Sequence, residues 1–161
     1  MYDYTMDYFA THCLDLAKRS KSKIGFGAVL VNQDGLIMGV GWNRRATPED
    51  RQTLPYVDYA IHAEQASIID ALSVGYKSID GCSIYVLGMV LTGANKGTLT
   101  TRSNVEFICT KCPHALMQYN LSVYIPHVDG WRRMTAEEAV ISGEKHRGRG
   151  TWSAFAKGVS L

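Results

Sequence analysis

The 161-residue sequence contains no apolar run near the roughly 18 residues that a membrane-spanning helix needs. Its first stretch, "MYDYTMDYFATHC", carries acids where a secretory leader would place basic residues before an apolar block, so a cytoplasmic location with reduced thiols is expected. There is no internal repeat and no low-complexity segment, which argues against a solenoid or a disordered chain. Nor is there a strong charge imbalance. A net charge of +2 does not by itself point to nucleic acid. Only four cysteines are present, so the fold must rest on its own core, and 46% hydrophobic residues are enough to build one. One domain over residues 1–161 is expected, with an insert at about 88–108 and a basic C-terminal tail.

The charge that exists is clustered. "KRSKSK" spans 18–23 and "EKHRGRG" spans 144–150. The ordinary interpretation of both is solvated helix ends and a tail; the alternative is attraction for a phosphate-bearing ligand. Arg44, Arg45 and Arg51 fall in a polar loop and raise the same choice.

Periodicity predicts a helix over 4–19, with Tyr8, Phe9, Cys13, Leu16 and Ala17 on one side. Two β-rich runs at 26–32 and 36–43 flank a "QDG" turn, which predicts a hairpin. Residues 44–58, with two prolines, read as a loop. A helix is expected over 60–74, a strand over 82–91, a short helix from Cys109 to about Tyr119 and a strand over 121–128. A last helix over 135–146 takes Thr135 as its cap. Helices alternating with late strands predict an α/β fold, a mixed central sheet between helical layers.

Within this frame, three residues have the character of zinc ligands. His62 opens one helix, while Cys109 and Cys112 open another. Cysteines three apart share a helical side, and the positive end of the helix favours thiolates. One nitrogen and two sulfurs suit tetrahedral zinc and leave the fourth position for water. Glu64, two residues past His62, does not share its helical face. It is better placed as a proton shuttle beside a water that the metal acidifies to a pKa near ~7. Taken singly, each residue has a plainer explanation. His62 could be a core histidine, Glu64 an acid in a first helical turn, and the cysteine pair a redox dithiol. A closed structural zinc site with His114 as fourth ligand is a further option. His114, His127, Tyr124 and Trp131 could touch a substrate, although packing is the commoner fate of such residues.

The H-x-E and C-x-x-C halves together form the signature of zinc nucleobase deaminases. With "GAVLVNQDGLIMGVGWN", "LPYVDYAIHAEQASI", "GCSIYV" and "CTKC" in order, the chain resembles the cytidine deaminase superfamily, and within it the deoxycytidylate deaminases. The resemblance covers roughly residues 10–127. It implies a three-layer α/β/α sandwich with zinc on His62, Cys109 and Cys112, and Glu64 as general acid and base. It also implies Asn43 and the Ala63 backbone as substrate contacts. The implied reaction is hydrolytic deamination of a pyrimidine nucleotide, dCMP to dUMP and ammonia, by a homo-oligomer acting on a small nucleotide. Two departures from the family pattern matter: Ile108 stands where a proline usually precedes the first cysteine, a backbone change that leaves the metal ligands in place, and the Glu64–Cys109 gap is long, which bears on substrate. Alternatives of substrate are cytidine, guanine or a base in single-stranded DNA or RNA. An alternative of another class is a non-catalytic zinc-stabilised binding module.

Overall fold

A computed structural model of the chain describes residues 2–55, 57, 59–75, 78–100 and 113–145. In chain order these form a 3-10 turn (Tyr4–Met6), α1 (Tyr8–Ala17), β1 (Ile24–Val31), β2 (Ile37–Trp42) and β3 (Arg44–Arg45). Next come α2 (Pro48–Thr53), β4 (Ala60–Ile61), α3 (Ala63–Ser73), β5 (Ser83–Val90) and β6 (Leu99–Thr100). The series ends with α4 (Pro113–Gln118), β7 (Ser122–His127), β8 (Gly130–Met134) and α5 (Ala136–Lys145).

The main sheet runs β2-β1-β5-β7-β8, with β6 paired to β5, and it is mixed: β5 and β7 are parallel, the other pairs antiparallel. The expected hairpin is β1–β2. Its turn holds because Asn32 Oδ1 accepts from the N–H groups of Asp34 (2.9 Å) and Leu36 (3.0 Å). Gly35 closes it at φ +84°, a conformation that suits a residue without Cβ.

Alternation along the strands divides the core between two faces. Phe26, Ala28, Leu30, Ile84, Val86, Val123 and Ile125 face α3, α4 and α5. Val29, Val31 and Leu87 face α1, which contributes Ala10, Cys13 and Leu16. This is the α/β/α sandwich expected from the sequence. Cys13 and Cys82 are buried, as small apolar residues would be. Among the described residues no helix is long and apolar enough to cross a membrane.

Several elements differ from the sequence expectation. The first helix begins only at Tyr8, because Asp7 Oδ1 takes the Ala10 N–H at 2.9 Å and caps it there. The 44–58 stretch is not all loop. Thr47 and Asp50 form a reciprocal capping box around Pro48 and start α2. The helix expected from residue 60 starts at Ala63, since Ala60 and Ile61 pair with Arg45 and Arg44. Strand β8, "GWRRM", was not expected; its polarity fits the sheet edge, where Arg132 and Arg133 are exposed. Of the expected insert, residues 88–100 extend β5 and return as β6, pairing Gly88 with Thr100 and Met89 with Leu99. The C-terminal tail lies outside the described residues.

Candidate active site

His62 follows β4 directly and serves as the N-cap residue of α3, with extended backbone at φ −85° and ψ 159°. The chain turns there because Gln65 Oε1 accepts the His62 backbone N–H at 3.0 Å, as the third helical residue does in a capping box. His62, Ala63, Glu64 and Gln65 are all buried. The Glu64 carboxylate makes no hydrogen bond to any described residue, while its backbone carbonyl accepts from Ser67 Oγ at 2.7 Å. Among the described residues the carboxylate is therefore available to a ligand at the mouth of α3.

Helix α3 is seated close to the sheet, which fixes how far His62 and Glu64 stand from it. A Cβ added at Gly39 would lie 2.2 Å from Ser67 O, and one at Gly41 would lie 2.5 Å from Ser67 N. Glycine is thus required at both points by close approach. Asp70 adds a polar tie, its Oδ2 accepting the Val40 N–H at 2.8 Å.

Asn43 follows β2 and turns its amide onto β1. Its Oδ1 accepts from Phe26 N at 2.8 Å and its Nδ2 donates to Ile24 O at 3.1 Å. One N–H and one lone pair of that amide are left over. Asn43, Phe26 and His62 line a cavity of about 890 Å³, whose wall also carries Arg44 and Arg45. Arg44 is held by Asp50, 2.6 Å and 3.1 Å from its two carboxylate oxygens. Arg51 is exposed on α2.

The expected sulfur ligands Cys109 and Cys112 lie outside the described residues, as does the start of their helix. Pro113–Gln118 of that helix is present as α4, packed on α5. Among the described residues no three His, Cys, Asp or Glu side chains gather as a metal site. The half that is described fits zinc: a buried imidazole at a helix start, next to a buried carboxylate that no described group occupies.

Tyr124 and Trp131 belong to the opposite face. Tyr124 stacks on Tyr85 at 4.4 Å and 4°, Phe9 of α1 stacks on the same ring, and Trp131 meets Tyr85 edge-on at 5.1 Å. His127 binds the Tyr4 hydroxyl through its backbone N–H at 2.8 Å. These residues are packing groups of the α1 layer. Gln65, Asp70 and Asp50 went unrecognised in the sequence, although Thr47-Pro48-Glu49-Asp50 carries a capping signal that could have exposed the last.

The layered mixed sheet, with a histidine–x–glutamate at the mouth of α3, defines a domain of the cytidine deaminase-like fold. The chain belongs to the cytidine and deoxycytidylate deaminase zinc-binding family, whose model matches residues 4–125. Zinc is the metal of that family.

Two solved cytidine deaminases agree on the fold. Cytidine deaminase from Burkholderia pseudomallei superposes with a TM-score of 0.55 at 18% identity, covering 86% of this chain and 96% of that one. Cytidine deaminase from Mycobacterium leprae gives 0.50 at 16% identity, covering 83% and 95%. The dCMP deaminase of cyanophage S-TIM5 gives 0.46 at 18% identity, covering 81% and 89%. A comparison with curated protein sequences returns no match.

Proposed function

We propose that the chain is a zinc-dependent hydrolase that deaminates a pyrimidine nucleotide, converting dCMP to dUMP and ammonia. One observation carries the choice of a nucleotide over a nucleoside. The cavity that holds His62 and Asn43 is lined in part by arginine and lysine residues, with no carboxylate among its described lining residues. Such a wall suits a 5′-phosphate.

His62, Cys109 and Cys112 would hold the metal, which when bound supplies a water acidic enough to react at neutral pH. Glu64 would take one proton from that water and deliver it to the ring nitrogen as the C–O bond forms, then carry the second proton from the new hydroxyl to the amine, which leaves as ammonia when the C–N bond breaks. Burial of Glu64 keeps bulk water from competing for the proton. The Ala63 backbone at the first turn of α3 meets the pyrimidine edge. The remaining N–H and lone pair of Asn43 meet the sugar. The β1 backbone holds that amide in one orientation, so it is set before the substrate arrives. The same reading keeps the enzyme cytoplasmic and homo-oligomeric.

Ammonia release from dCMP and from cytidine, measured side by side with a metal analysis, tests the proposal. Charge-assisted contacts to the phosphate should favour dCMP in kcat/KM by about tenfold or more. Equal values for the two substrates would remove the phosphate from the account.

A further inference from the structure

The cavity wall carries more positive charge than one phosphate requires. Arg19, Lys21 and Lys23 reach it from the segment that joins α1 to β1, and Arg44 and Arg45 reach it from β3. Asp50 neutralises Arg44, and the other ion pair among the described residues joins Lys18 to Asp15. Arg19, Lys21, Lys23 and Arg45 therefore face the cavity without a described carboxylate. Arg19 is also held in place, its guanidinium lying 5.2 Å from the centre of the Trp42 ring. A phosphate monoester brings about two negative charges at neutral pH. Four cations that line one cavity with no described counter-charge repel one another, and an anion of matching charge relieves that repulsion.

The two groups of cations also stand at different places. β3 is paired with Ala60 and Ile61, immediately before His62, so Arg45 belongs to the part of the lining that is near His62 along the chain. Arg19, Lys21 and Lys23 line the same cavity from a different part of the chain, the segment between α1 and β1.

From this arrangement we infer that the cavity takes a ligand with at least two phosphate groups: a nucleotide whose 5′ end is polyphosphorylated, or one joined by a phosphodiester to a neighbour in a strand. The nearer phosphate meets Arg45, and the second meets Lys21 and Lys23. The inference rests on the nucleotide-deaminase function proposed above and extends its substrate class.

Equilibrium binding of inorganic orthophosphate and tripolyphosphate to the full chain, at matched ionic strength, reads the second site without any need for turnover. Tripolyphosphate should bind about tenfold tighter or more. The Lys21→Ala/Lys23→Ala variant should lose that margin while its thermal midpoint stays that of the wild type, since both lysines are exposed. Equal affinity for the two anions, or a margin that survives in the variant, would overturn the inference. Turnover then distinguishes the source: dCTP or a single-stranded deoxycytidine trinucleotide should show a lower KM than dCMP, and if neither does, the second phosphate site is refuted. Should dCMP be deaminated while tripolyphosphate shows no gain, the deaminase stands and the second site falls. Should no cytosine compound release ammonia while the margin holds, the anion site stands and the deaminase falls.

Discussion

Arg44 grips Asp50 through two hydrogen bonds, 2.6 Å and 3.1 Å long, and Asp50 is only 4% exposed. The same carboxylate accepts the Thr47 N–H at 2.7 Å. This contact joins α2 to β3, and β3 pairs with the segment that ends at His62. Asp50→Asn leaves the guanidinium without its counter-charge and should lower unfolding stability by about 2 kcal/mol. Chemical denaturation of the two proteins measures the difference.

The pair also sets a pH dependence. Burial pushes the Asp50 carboxyl upward, but hydrogen bonds from Arg44 and Thr47 outweigh it and hold the group below its ordinary value. A carboxylate with a depressed folded-state pKa contributes stability above its unfolded value, about 3.9. That contribution disappears as pH falls through the folded value. Wild type should therefore lose stability more steeply than Asp50→Asn when thermal midpoints are followed from pH 6 down through about pH 3. Parallel curves would show that Asp50 titrates as an ordinary carboxyl.

Gly41 is where α3 rests on β2. A methyl group there meets the Ala66 Cβ and the Ser67 N, both at 2.5 Å, so the start of α3 must move. Gly41→Ala should cost about 1–3 kcal/mol of stability. It should also reduce kcat, because His62 and Glu64 move with the helix. Alanine at Gly35, which has nothing within 4 Å but sits at φ +84°, provides a contrast. Its strain is local, and kcat should be kept.

Metal removal gives a separate test. Dialysis against a strong chelator should abolish ammonia release, and added zinc should restore it. His62→Ala should lower the zinc content after purification, whereas Asn43→Ala should leave it at the wild-type level.

The fold could be read in advance wherever one local signal had one physical meaning. The β1–β2 hairpin follows from a short polar turn between two β-rich runs, and α5 starts at its predicted cap, with Thr135 Oγ1 accepting from Glu138 N at 3.1 Å. Residues 44–58 misled because two prolines suggested a loop, although one of them, Pro48, opens α2. The face on which a strand residue lands is a tertiary property. Tyr124 and Trp131 thus looked like candidates for stacking on a base until the sheet placed them under α1. The charged residues of the cluster at 18–23 are exposed, as a solvated helix end would be, while the cavity that Arg19, Lys21 and Lys23 share with Arg44 and Arg45 is a tertiary property with no local signal. His62 and Glu64 were recognisable together as a spaced motif, and the structure buries both at one helix start.

Replacement of one carboxylate tests the centre of the account most directly. Glu64→Gln is nearly isosteric and cannot accept the proton. Its zinc content should equal that of the wild type, while ammonia release from dCMP should fall by about 10²- to 10⁴-fold. Wild-type turnover by a zinc-loaded Glu64→Gln protein would contradict the role assigned to Glu64.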